Sequence, residues 1–566
     1  MGSRRSKNVL AVFVVWVLIV LVLALAYRYV VMPQFQRSSA MEQAVEQYEA
    51  MAARAVEKGL TPDALPEDAS VEMIQQWTAD LEERLTGSRG VGVPIEHRVK
   101  LSLDSFSGYA VLRSPKMLDA LAGRGIDLKT VDDGADYIGR LQAVRSGETP
   151  MAVFTIDALL TASAQLGETP ATIVMLIDET TGADAIVAYE EAVPNIDALN
   201  RADARLVATP SSPSETLGRV VMANFALPEL PDEPWTAADG AGDVYQQMKG
   251  ADKSKPTAYI LWEPFTSRAL DLPGTHVLLD SSRFRGYIVD VLVVQRRFLL
   301  DHEDVVRAVV EEYLREAHRR RVQPAGWAKL IAEDARRSGE ALSKAQVERL
   351  VEGVWWKTTQ ENFAHLGLLR RGGGRDQLQP LGRMISNITE VLLQTGAIDA
   401  DPTEGQPESL FYDGILSDLA RENFHPAAIR PSPGADAEQV RQVAEAPPLD
   451  DAGWDRLSPV GTLEVADLVF ARGTARLTRR SEFTLDRLIE TLDTWPQYYL
   501  KVTGQARQIG DADANRALAE QRAQAAAEYL IAKGATAHRI QAQSSAELGT
   551  GGTAQTVTFT LSQTPF

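Results

Sequence analysis

The first pattern along the chain is an uncharged apolar run from Val9 to Tyr27. As a helix its 19 residues span about 28 Å, enough for the hydrocarbon core of a bilayer. Arg4, Arg5 and Lys7 precede it, and Arg28 is the one charge between Tyr27 and Met32. A basic flank stays in the cytoplasm. Residues 1–8 therefore read as a cytoplasmic segment, 9–32 as a single transmembrane anchor and the remainder as exported. The Ala24-Leu25-Ala26 triplet keeps a cleaved signal peptide open as the alternative. Within 33–98, Met41, Ala44, Val45, Tyr48, Met51, Ala52, Ala55 and Val56 recur at helical spacing. Pro62 and Pro66 interrupt them and Val71–Leu85 resumes, which predicts a helical stalk or an antiparallel helix pair.

From about Val99 short apolar runs alternate with helical stretches. The runs are Leu101–Leu103, Ala152–Thr155, Ile173–Ile177, Ala185–Ala188, Arg205–Ala208, Ala258–Trp262, Val277–Leu279 and Val289–Val294. Buried strands separated by amphipathic helices predict an α/β fold with largely parallel sheets. Arg321–Asn423 continues as helix, with Trp355-Trp356 read as packing and Arg370–Arg375 as a solvated turn, so 99–423 forms one module. Pro426–Pro459 is rich in Pro, Ala, Gly and Asp, and 424–459 reads as a linker. The last segment, 460–566, predicts a compact α+β domain of order β-α-β-α-β-β, opening with a strand at Leu468-Val469-Phe470.

Composition narrows the chemistry. A length of 566 residues fits about three to four domains. An apolar share of 45% with 24% charged residues is that of a globular chain. The formal net charge of −19 argues against wholesale nucleic-acid binding. Segment 460–566 holds 11 acidic and 11 basic residues, so the imbalance lies upstream. The absence of cysteine excludes disulfides, thiolate metal sites, cysteine nucleophiles and a lipidated cysteine anchor. The seven histidines form neither a metal-ligand pattern nor a triad, and no cofactor motif is present. The reading is therefore binding, with an enzyme as the alternative of a different class.

In open α/β sheets ligands bind beyond the carboxyl ends of the strands. The loops at those ends supply the candidates: Ser105, Ser107 and Tyr109; Thr155 and Asp157; Thr181 and Asp184; Ser212 and Ser214; Trp262 and Glu263. Each also has a structural reading. Ser212 and Ser214 suit a helix cap, Trp262 core packing, and Asp184 the bracing of a turn. Glu263 discriminates most. Facing a cleft, it disfavours a bare inorganic anion and favours an amine or hydroxyl; paired with Arg268, it says nothing about ligand.

These residues also carry a resemblance. Ser105-Phe106-Ser107-Gly108-Tyr109, Phe154–Leu160, Thr181–Ala188, Leu261-Trp262-Glu263-Pro264-Phe265 and Val289–Val294 occur in the order and spacing of a known family. Over about 99–320 the chain resembles periplasmic substrate-binding proteins of the nitrate, sulfonate and taurine type. The resemblance implies two α/β lobes joined by a hinge and closing on a small solute, with an ABC-type permease as a possible partner.

Phe470–Leu477 and the helix of Asn515, Leu518, Arg522-Ala523 and Tyr529-Leu530 resemble the OmpA-like, peptidoglycan-associated domains. In that family an aspartate and the helix arginine grip the ammonium and carboxylate of the stem peptide. The resemblance places Arg522 at the arginine position and Asn515 at the head of the signature helix. The aspartate position, 15 residues before Arg522, is Arg507, a reversal of charge. The family's closing Asn-Arg-Arg is also missing.

Together these features predict an inner-membrane, single-pass protein with its bulk in the periplasm. It binds a small polar solute between two lobes and docks to peptidoglycan or an envelope partner, for sensing or tethered delivery. The alternative is an envelope scaffold with a vestigial cleft.

Overall fold

The structure is a computed structural model. It describes residues 93–323, 325–339, 342–369, 378–428, 440–441, 445–507, 511–549 and 557–564, with parts of two helical stretches between 41 and 81. The expected membrane segment 9–32 and the Arg370–Arg375 turn lie outside the described residues. Among the described residues no helix is long and apolar enough to cross a membrane.

The chain forms two compact units. The smaller comprises 1–96 and 122–126. Its apolar helical positions do what their spacing predicts: Ala44, Tyr48 and Ala55 are buried in one cluster with Ile74, Trp77 and Leu81. The rings of Tyr48 and Trp77 lie 6.2 Å apart.

The larger unit comprises 97–121 and 127–566. In chain order its strands begin with β1 (His97–Leu103), β2 (Ile126–Asp132), β3 (Met151–Thr155) and β4 (Ala171–Thr180). The chain then crosses to a second sheet of β5 (Asp184–Tyr189), β6 (Arg205–Ala208), β7 (Trp235–Ala237), β8 (Thr257–Trp262) and β9 (Thr275–Asp280). It returns with β10 (Val289–Gln295) and β11 (Val354–Trp356). The first sheet has the order β11-β4-β10-β3-β1-β2 and the second β7-β6-β8-β5-β9. Two lobes thus share two crossings, 181–183 and 281–288.

The sheets are mixed rather than largely parallel. β10 runs antiparallel to β3 and β4, and β5 antiparallel to β8 and β9. A strand that enters a sheet from the other lobe starts at the opposite end from one delivered by a helical crossover, so each crossing reverses one strand. β3 and β4 are buried along their whole length. Helices cover both faces of such sheets, so Met151–Phe154 and Ile173–Ile177 read as continuous apolar runs.

Seven helices matter below: α1 (Ile156–Leu166), α2 (Pro213–Asn224), α3 (Gly326–Arg337), α4 (Lys344–Gly353), α5 (Leu381–Gln394), α6 (Arg479–Thr494) and α7 (Ala512–Ala532). The C-terminal strands are β12 (Ser458–Thr462), β13 (Tyr499–Arg507), β14 (Ile540–Gly549) and β15 (Val557–Gln563), ordered β12-β15-β13-β14. The opening strand is β12, not Leu468–Phe470. Phe470 instead bridges to Leu477 across a turn at Gly473, whose φ is +70°. Pro459 sits in β12 because that strand is an edge with β15 as its neighbour, where a missing N–H is tolerated. At Gly504 a Cβ would lie 1.9 Å from the Ala519 carbonyl oxygen, so β13 can approach α7 this closely only with glycine.

Residues 445–459, at the end of the stretch read as linker, are folded. Ala446, Trp454 and Leu457 are buried with Tyr499, whose hydroxyl donates to the Pro447 carbonyl at 2.7 Å.

The C-terminal domain is packed against both lobes. Trp495 is fully buried, stacked on Phe225 of the second lobe at 5.6 Å and tilted against Phe284 of the second crossing at 6.4 Å. The Asp197 carboxylate accepts the Thr462 amide at 2.7 Å, and the Arg285 amide donates to the Thr494 carbonyl at 2.7 Å. Arg487 pairs with Glu390 of α5 at 2.7 Å. One apolar core runs through both lobes into this domain.

Candidate binding site between the lobes

β1 and β3 in one lobe and β6 and β8 in the other deliver their carboxyl ends to a common seam. The seam is closed. Thr216, in the first turns of α2, donates across it to Asp157 Oδ2 at 2.5 Å, at the start of α1.

Most predicted residues come together here. Tyr109 is buried, edge-on to Phe106 at 5.2 Å, and its hydroxyl donates to Asp290. Ser107 is buried in the short helical turn Ser107–Val111, whereas Ser105 is exposed. Thr155 and Asp157 are buried at the end of β3 and the start of α1. Ser214 is fully buried and donates to Asp184 Oδ1 at 3.4 Å.

Others serve structure. Ser212 caps α2, accepting the Glu215 amide at 3.4 Å and donating to the Thr209 carbonyl at 2.6 Å. Thr181 sends its amide to the Gly353 carbonyl at 2.7 Å. Trp262 ends β8 half-buried against the second lobe's outer core. Glu263 does not pair with Arg268, which lies over the Phe265 ring at 4.6 Å. Its carboxylate accepts the Ser267 hydroxyl at 2.6 Å and stands 3.9 Å from Arg349 of α4.

Helices α3 and α4 cover the mouth of the seam. Trp356 stacks on Trp327 at 3.9 Å and donates its indole N–H to the Gly108 carbonyl at 2.9 Å. Phe106 and Ala183 pack with Ile331 and Leu350. Arg113 ties this cover down, donating through Nε to Asp334 at 3.0 Å and through its Nη atoms to the carbonyls of Asp104 and Phe106 at 2.7 Å.

Hydroxyls meet the seam carboxyls Asp157, Asp184 and Asp290, a second carboxyl faces Asp178, and Arg140 pairs with Asp104 at 3.1 Å. Burial pushes Asp178 up to about 7, and Asp290 facing it is pushed well above the carboxylate range by burial and by Asp178. Asp184 is pushed up to about 7 by burial, with Asp157 and Glu263 adding repulsion against the opposing bond from Ser214. Burial also raises Asp157 against the Thr216 bond. Both Asp178 oxygens and Asp157 Oδ1 are buried without a hydrogen-bond donor. Native structures supply such atoms with water, an ion or a ligand.

The loop reasoning missed Asp178, Asp290 and Thr216. The first two had a signal: each is a carboxylate within a strand of mostly apolar residues, Asp290 alone and Asp178 beside Glu179, which is costly unless it serves a partner. Thr216 had none, because it lies a full helical turn inside α2.

In the C-terminal domain, Arg522 Nε donates to the Thr474 carbonyl at 3.1 Å, and its guanidinium lies 5.0 Å from the Phe470 ring. Asn515 lies in the first turn of α7, its amide on the Asp511 carbonyl at 3.0 Å. Asp511 caps α7 through the amides of Asp513 and Ala514, and Asp513 pairs with Arg516 at 2.9 Å. Arg507 ends β13 opposite Gly549 of β14. Among the described residues, groups of His, Cys, Asp or Glu arranged to hold a metal are absent.

The chain thus folds as two α/β lobes joined to a C-terminal α+β domain. Residues 469–557 match the OmpA family. Solved structures similar to the chain include periplasmic binding proteins. The periplasmic aliphatic sulphonate binding protein SsuA from Escherichia coli is 14% identical, over 56% of this chain and 99% of its own, with a TM-score of 0.42. The periplasmic nitrate-binding protein NrtA from Synechocystis is 11% identical, over 60% and 92%, with a TM-score of 0.42. The ligand-binding component of an ABC-type import system from Staphylococcus aureus is 14% identical, over 57% and 99%, with a TM-score of 0.40. No curated protein matches the chain.

Proposed function

We propose that the protein is an envelope solute-binding protein that takes a small ligand bearing a positive charge in the interlobe seam. The observation that carries this reading is the set of buried carboxyls from both lobes, Asp157, Asp178 and Asp290 from one and Asp184 from the other; hydroxyls meet Asp157, Asp290 and Asp184, and both Asp178 oxygens lack a donor. An ammonium supplies the missing donors and the missing charge. A sulphonate or nitrate, the ligands named for the similar structures, meets like charge here. Opening of the seam admits the solute and closure excludes water around it.

The N-terminal run 9–32 anchors the chain in the inner membrane with its bulk in the periplasm. The C-terminal domain associates with the envelope, and Arg522 is its residue for the carboxylate of a wall peptide. Such a tethered protein senses a solute or delivers it to an ABC-type permease. The second reading, a scaffold with a vestigial cleft, is favoured by α3 and α4 over the seam and by a C-terminal domain packed on both lobes. Both readings are binding roles rather than catalysis.

The test is a thermal-shift screen of the full chain against amines, amino acids, pyrimidines, nitrate and sulfonates. An amine-bearing compound raises the melting temperature, and Asp178→Asn abolishes the shift. Stabilisation by sulfonates or nitrate, unchanged in that variant, removes the cationic assignment. A flat screen leaves the scaffold reading.

A further inference from the structure

The back of the same crossing carries a cavity of about 560 Å3, within the size range of small-molecule sites. Its walls come from the second crossing (Arg285), the first lobe (Glu179, His365, Gln379) and the C-terminal domain (Thr494, Arg539). The seam does not use it.

The cavity's polar groups are unbalanced. Arg285 has Nε and Nη1 buried without an acceptor. The carboxylate beside it is taken: Glu179 accepts Lys357 Nζ at 2.5 Å and the Gly286 amide at 2.8 Å. Gln379 Nε2 is a second buried donor without an acceptor. Cations crowd Trp355, with Lys357 Nζ 3.2 Å from the ring centroid and the guanidinium carbons of Arg285 and Arg441 at 5.1 and 5.2 Å. Arg383, Lys533 and Arg539 also line the space, against Glu445 and Asp493. His365 points to one more feature. It is 2% exposed, with Nδ1 2.7 Å from the Gln379 carbonyl oxygen. The proton therefore sits on Nδ1, and Nε2 is a buried lone pair with no donor. Buried donors without acceptors are costly, more so when charged. The deficit here is a negatively charged acceptor together with one hydroxyl donor.

We propose that this cavity binds a small hydroxylated oxyanion, a hydroxy-carboxylate or a phosphate ester. Its charged group lies on Arg285 and Gln379, and its hydroxyl donates to His365 Nε2. Because the Arg285 amide is bonded to Thr494 and the Gly286 amide to Glu179, an occupant holds the second crossing and the C-terminal domain together.

The test is titration calorimetry on the full chain with two probe pairs, malate against succinate and glycerol 3-phosphate against inorganic phosphate. One pair binds, its hydroxylated member more tightly, which also separates the carboxylate from the phosphate source. Arg285→Gln weakens that binding at least tenfold, and Arg297→Gln, on an exposed side chain, leaves it unchanged. Absence of binding by all four probes overturns the proposal, as does unchanged affinity in an Arg285→Gln protein that melts like wild type. If Arg285→Gln does not fold, Gln379→Ala decides: weakened binding supports the site and unchanged affinity overturns it. Asp178→Asn retains the binding; its loss there assigns the signal to the seam and overturns the proposal.

Discussion

Asp178 and Glu179 are neighbours on β4 and point to opposite faces of one sheet, as successive strand residues must. Both are carboxyls with almost no exposed surface. Asp178 looks into the seam, meets another carboxyl and is pushed up to about 7. Glu179 looks to the back, meets Lys357, Arg285 and the Gly286 amide, and is held below its ordinary value despite its burial. Depth is the same on the two faces, so the partner decides the charge. The front is a wall of carboxyls short of cations; the back is a wall of cations short of anions.

The largest effect expected is on the contact that places the C-terminal domain behind the crossing. Trp495→Ala removes a ring packed on Phe225, Phe284 and Tyr498, and such a truncation costs about 3–5 kcal/mol, read by denaturant unfolding. A cost under about 1 kcal/mol means that the domain is only loosely placed and the back cavity is not a fixed site.

Next come the two neighbours themselves. Glu179→Gln leaves Lys357 buried without its counter-charge, a loss of about 3–5 kcal/mol. Asp178→Asn removes a carboxyl with no donor and is neutral or stabilising, by up to about 2 kcal/mol at pH 8. Equal losses from both variants would erase the distinction between the faces.

A smaller effect is the pH dependence of the unliganded protein. Asp178 and Asp184 have folded values of about 7 against an ordinary 3.8. Between those values the native state holds more protons than the unfolded one, so stability falls as pH rises. This contribution is complete below about pH 4 and lost as pH rises through about 7. Melting curves from pH 5 to 8 should show the decline, and Asp178→Asn should flatten it. A profile identical in that variant contradicts the assignment.

The smallest effect is at the rim. Arg349 is half-exposed and 3.9 Å from Glu263, which Ser267 already satisfies. Arg349→Gln should change stability by less than about 0.5 kcal/mol, and a larger loss in thermal melts would make α4 a load on the seam rather than its cover.

Much of the architecture was legible because it is written in periodicity. Buried strands such as β3 and β10 are dominated by apolar residues, Met151–Phe154 and Val291–Val294, and the helix of Asn515 and Arg522 carries its own spacing. Strand direction was not legible, since nothing in Val289–Val294 records from which lobe the chain arrives. The opening strand β12 was hidden by Pro459, which reads as linker and is tolerated only because the strand is an edge. At the site, loop positions led to Tyr109, Asp157, Asp184 and Ser214. Asp178 and Asp290 sit within strands, and Glu263 found Ser267 and Arg349 rather than Arg268. Arg285 and His365 could not be anticipated, because their cavity exists only where the C-terminal domain meets the crossing.

The most direct test of opposite deficits on the two faces is a single thermal-shift matrix. Wild type, Asp178→Asn and Arg285→Gln, all full length, are each melted with a series of small amines and with malate, succinate, glycerol 3-phosphate and phosphate. Amine stabilisation should vanish in Asp178→Asn and persist in Arg285→Gln, while oxyanion stabilisation does the reverse. Amines and oxyanions affected alike by both substitutions, or each lost through the other face's variant, would contradict the account.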